Sequence, residues 1–62
     1  MTVQQIINQY CIESFRIVVF LNWKTEILYD STKTNKDVPN FLYDSIVENV
    51  SMTNNGILEI EV

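Results

Sequence analysis

The segment Phe15–Leu21 (Phe-Arg-Ile-Val-Val-Phe-Leu) constrains this chain more than any other. Side chains alternate across a strand. As a strand, the segment therefore sets Phe15, Ile17, Val19 and Leu21 on one face and Val18 and Phe20 on the other. A chain of 62 residues hides only about 60% of the surface its unfolded form exposes, and its core rarely supplies more than roughly 3–5 kcal/mol. Such a chain covers one face of a small sheet. A strand apolar on both faces asks for cover from outside, and a second copy is the simplest source. Cys11 is the only cysteine and the chain has no histidine, so an internal disulfide and a structural zinc site both lack their ligands. The expectation is a homodimer whose interface includes Val18 or Phe20.

Local signals place the remaining elements. Thr2-Val3-Gln4-Gln5 fits a capping box, and Val3, Ile6, Ile7 and Tyr10 follow at the spacing of one helical face, predicting a helix over Val3–Tyr10. Asn22-Trp23-Lys24 reads as a tight turn after the first strand, and Thr25–Asp30 as its antiparallel return. Ser31–Asp37 is a polar loop. Asp37 and Pro39 mark the start of a second helix, predicted over Pro39–Ser45 with Phe41, Leu42 and Ile46 facing inward. From Val47 the period shortens to two. Val47–Met52 and Ile57–Val62 read as a second hairpin around Thr53-Asn54-Asn55-Gly56, where Asn and Gly accept positive φ; continuing the second helix through Val50 is the rival reading. The order α-β-β-α-β-β implies a single small α+β domain over residues 1–62. Its expected architecture is a four-stranded, mostly antiparallel sheet, with two short helices on one face and Phe15–Leu21 central.

Charge and residue types exclude several function classes. Eight acidic residues against four basic ones leave a net charge of −4. Arg16, Lys24, Lys33 and Lys36 make no basic footprint for phosphates, so direct nucleic-acid binding is not expected. Without histidine there is no Ser-His-Asp or Cys-His arrangement, and the single glycine, Gly56, precludes a Gly-rich phosphate loop. Glu59 and Glu61 share a strand face, but a hard cation wants more oxygen ligands than two. No catalytic residue, cofactor or metal is expected, and the chain reads as a non-enzyme. Cys11 reads as a small buried hydrophobe. Met1–Gln9 lacks the basic n-region of a signal peptide, and the longest apolar run, Ile17–Leu21, falls far short of the roughly 20 residues of a membrane helix. A cytoplasmic protein without membrane contact is expected.

What remains is a surface for other proteins. Trp23 stands at a hairpin tip, where a large apolar ring gains little burial in its own domain, and tryptophan is enriched in binding hot spots. Glu26 and Asp30 lie four residues apart on the returning strand, which predicts that they share a face with each other. Trp23, Glu26 and Asp30 are therefore the candidate partner-binding residues.

The opening Thr-Val-Gln-Gln-Ile-Ile-Asn-Gln-Tyr, the Asp37-Val-Pro segment leading to Leu42 and the closing Asn55-Gly-Ile-Leu-Glu-Ile-Glu-Val resemble short proteins encoded in phages and prophages of low-GC Gram-positive bacteria. That resemblance implies an inhibitor that binds a host defence protein in the host cytoplasm. Two alternatives stand beside it: an accessory or structural subunit of a phage or bacterial complex, and a small-molecule binding protein with a pocket at the dimer interface.

Overall fold

Thr2 opens the first element in the way its neighbours dictate. In the computed structural model, which describes Met1–Val62, the Thr2 hydroxyl accepts from the Gln5 N–H at 3.3 Å while the Gln5 side-chain oxygen accepts from the Thr2 N–H at 2.8 Å. Two orphan donors of helix α1 (Val3–Tyr10) are thereby satisfied reciprocally. The helix stops at Cys11, whose φ of 51° is left-handed and whose N–H donates to the Ile7 carbonyl. That geometry turns the thiol outward, so Cys11 is exposed and not the buried hydrophobe its residue type suggests.

Strands β1 (Phe15–Leu21) and β2 (Lys24–Asp30) follow as a hairpin, and β3 (Asn49–Met52) and β4 (Leu58–Glu61) form a second. The Thr53–Gly56 turn closes the second with Gly56 at φ 80°, and the Thr53 hydroxyl accepts from the Ile57 N–H at 3.1 Å. The sheet order is β2-β1-β4-β3. Neighbours pair antiparallel except β1 and β4, which run parallel at the centre. Residues Val47–Val50 belong to the approach and start of a strand, not to a helix.

The parallel register sets Phe15 beside Leu58 and Ile17 beside Ile60. These four pack with Val3 and Ile6 of α1, and with Val38 and Leu42, as one core on the face that both helices cover. Helix α2 is a single turn, Asn40–Tyr43, shorter than predicted; Pro39 stands at its N-cap and no side chain, Asp37 included, caps it. One turn offers one inward position, which Leu42 takes, and Val38 supplies a second apolar side chain from the preceding loop. Phe41 and Ile46, both expected to face inward, are exposed. The backbone around Ile46 runs antiparallel to the N-terminus: Ile46 bridges Thr2, the Val3 N–H donates to Ser45 and the Val47 N–H to Met1.

On the helix-free face, Val18 is only 1% exposed. It sits across from Ile27 on one side and Glu61 on the other and belongs to a layer separate from the helix-covered core. The cover that its alternation demands comes from the chain's own neighbouring side chains.

Ile17, fully buried in the central strand, tests this arrangement. Ile17→Ala should cost about 2–5 kcal/mol, comparable with the whole stability of a domain this small. Leu21→Ala, at the exposed end of the same strand, should change stability by less than about 0.5 kcal/mol. Urea unfolding followed by circular dichroism distinguishes the two.

Candidate functional site: the distal end of the first hairpin

Beyond the helices the first hairpin continues without cover. Lys24–Leu28 are all exposed, as are Phe20 and Leu21. Helix α2 and the Ser31–Asp37 loop attend only to the base of β2, where the Tyr29 hydroxyl donates to the Lys36 carbonyl. The Ser31 hydroxyl there accepts from the Phe15 N–H and donates to the Glu13 carbonyl, both at 2.9 Å.

At the tip, Asn22 and Trp23 have φ values of 52° and 65°. Two residues with positive φ are what a two-residue hairpin turn needs to match strand twist. Asparagine accepts that conformation readily. For Trp23 it is costly, since a left-handed residue with a Cβ loses roughly 1–2 kcal/mol, and this is a position glycine ordinarily occupies. The ring recovers little by burial: Trp23 is 91% exposed, with one edge-on contact to Phe20 at 6.4 Å between centroids. Folding alone would not select tryptophan here.

A β-bulge divides the other two candidates. Ile17 lies opposite Tyr29, but its neighbour Val18 lies opposite Ile27, so Leu28 is the additional residue in β2. Past the bulge, Glu26 faces Val19 while Asp30 faces Arg16. Val19 and Arg16 are three apart on a strand and point to opposite sides. Glu26 and Asp30, expected to share a face, are thus on different ones, because one inserted residue inverts the alternation. Thr25 and Ile27 stay on the helix-free side with Phe20 and Trp23, and Glu26 and Lys24 take the other.

Asp30 is withdrawn from the surface at 7% exposure. Its Oδ1 accepts from the Thr32 hydroxyl at 2.6 Å and the Thr32 N–H at 3.0 Å, and its Oδ2 from Arg16 Nε at 3.4 Å. Arg16 Nη1 also reaches Glu59 Oε2 at 3.4 Å. The Thr32 hydroxyl is the largest influence, and with the Thr32 N–H and the Arg16 charge it outweighs burial, so the Asp30 pKa lies below its ordinary 3.8. The Asp30-Ser-Thr32 spacing is a turn signature legible in sequence; the bulge that exposes Ile27 and Leu28 has no such signal.

No three acidic, thiol or imidazole groups gather into a metal-holding cluster, and the surface contains no concave pocket. No helix is long and apolar enough to cross a membrane. Phe20, Trp23 and Ile27 are exposed together on one side of the first hairpin. No protein family, curated protein or solved structure matches the chain.

Two outcomes follow from this geometry. Trp23→Gly relieves the left-handed strain and loses almost no burial, so it should raise unfolding stability by about 0.5–1 kcal/mol after glycine's greater unfolded-state freedom is counted. Asp30 has a lowered folded pKa, so its contribution is complete above pH 3.8 and is lost as pH falls through the lower folded value. Acid titration of stability should therefore show a drop below pH 3.8, and Asp30→Ala should flatten that drop while costing about 1–3 kcal/mol at neutral pH.

Proposed function

We propose that this chain is a non-catalytic protein-binding module that acts by covering a surface of a partner protein with the helix-free side of its first hairpin. Trp23 carries the reading. A residue that strains its own turn and contributes almost nothing to its own core is explained by a contact made elsewhere, and a rigid aromatic ring supplies large contact area with few rotors to freeze. Phe20 and Ile27 extend the anchor into a patch, since all three lie on one side of the hairpin. The resemblance to short phage proteins supports a host defence protein as the partner and inhibition by occlusion as the outcome, in the host cytoplasm. Asp30 falls outside this surface because its carboxylate is engaged by Thr32 and Arg16.

Capture from lysate of a low-GC Gram-positive host tests the reading with parent and Trp23→Gly chains as paired baits. The expected result is a protein retained by the parent and lost with the variant, and inhibition of that protein that saturates at a fixed stoichiometry. The affinity loss should be about 2 kcal/mol or more for an anchoring tryptophan. Since Trp23→Gly is expected to be the more stable chain, misfolding cannot account for the loss. Equal capture by both baits would remove the hairpin from the function.

A further inference from the structure

β2 is an edge strand, and the direction of its free backbone groups follows from two hydrogen bonds of β1. The Phe15 carbonyl accepts from the Ser31 N–H, toward β2, while the Val18 carbonyl accepts from the Val62 N–H, toward β4. Odd residues of β1 therefore address β2 and even ones address β4. Lys24 and Glu26, opposite Leu21 and Val19, use their backbone groups inside the hairpin. Thr25, opposite Phe20, turns its N–H and C=O to the open edge, as does Ile27. These unpaired groups are a template for another strand.

The side chains indicate which strand. Lys24-Thr25-Glu26 reads as its own charge complement about Thr25. In an antiparallel pair with a two-fold axis at Thr25, Lys24 of each copy stands directly opposite Glu26 of the other, and Thr25 meets Thr25 with both backbone bonds in phase. An axis at Glu26 keeps the backbone in phase, with Thr25 opposite Ile27, but sets Glu26 directly opposite Glu26 of the other copy, two like charges at the closest approach of the ladder. An axis at Ile27 runs the pairing through the Leu28 bulge and sets Lys24 against Asp30, whose carboxylate is already engaged.

We infer that two copies of this chain join edge to edge through β2, in register about Thr25, into one continuous eight-stranded sheet. The axis stands normal to the sheet, so both helix-free sides face the same way. Trp23 of each copy then stands beside Ile27 of the other across the axis, with Phe20 one strand further in on each side. The partner-binding surface is composite, built from two hairpins. This inference rests on the hairpin as the contact element, but its test reads mass and not partner binding, so the two readings fail separately.

Sedimentation equilibrium through the micromolar range should give twice the chain mass for the parent. Lys24→Glu and Glu26→Lys each replace two attractive cross-strand pairs by two repulsive ones and should weaken dimerisation by about tenfold or more. An equimolar mixture of the two variants should dimerise again as a heterodimer, because acids on one chain then oppose lysines on the other. Thr25→Pro removes an edge-facing N–H without touching the β1 ladder, a substitution edges tolerate, and should leave a folded monomer by circular dichroism. A parent that stays monomeric, single reversals that dimerise like the parent, or a mixture that fails to recover overturns the proposal.

Discussion

The structure depends on the parallel contact between β1 and β4. It is the one strand pair with no turn to enforce it, and it joins residues some forty positions apart, Phe15 with Leu58 and Arg16 with Glu59 among them. Each hairpin by itself is marginal in water, since a two-stranded ribbon has one face and nothing to bury it against. Joined, they align Ile17 with Ile60, both fully buried, as the floor on which α1 and α2 rest. The helices are too short to persist alone; Val3, Ile6 and Leu42 hold them only where that floor exists. Closing so long a loop costs chain entropy before the contact returns anything, and the apolar burial on this floor must offset it.

The helix-free side solves a different problem with polar chemistry. Arg16 lies in the middle of an apolar run yet reaches Asp30 on β2 and Glu59 on β4 from the central strand, linking three strands across a face without helical cover. Both contacts are long at 3.4 Å and the Arg16 side chain keeps 24% of its surface in solvent, so the pairing by itself contributes modestly. Its larger consequence is orientation. It gathers two of the eight carboxylates around a cation at the base of the hairpin, while Phe20, Trp23 and Ile27 stand exposed on the helix-free side of the distal end.

That division makes the distal hairpin the part of the molecule that folding does not account for. The core is complete without it, its ladder runs past the last covered residue, and its turn carries a tryptophan in a backbone region that favours glycine. Strain and exposure held together at Trp23 are the observations on which its proposed binding role rests. The free backbone groups at Thr25, between a lysine and a glutamate, are what would give the proposed pairing a single register.

The amino-acid sequence by itself determined what is decided within a few residues. The Thr2–Gln5 box fixed the start of α1, the Asn55-Gly56 turn closed the second hairpin, and the alternation in Phe15–Leu21 marked a central strand. The α+β class followed from the order of these elements. Tertiary structure decided how faces and exposure were allotted. Leu28, inserted into β2, separated Glu26 from Asp30, because a bulge is a property of two strands in register and not of either strand's residues. Neighbouring strands closed over Val18, which alternation alone had left for a partner. The N-terminus drew residues 45–47 into a backbone bridge, which shortened α2 and left Phe41 and Ile46 outside. Cys11 turned outward because helix termination required a left-handed residue there. In each case a local pattern states that a side chain is apolar or polar, while the pairing of distant segments determines which of them the remaining surface must carry.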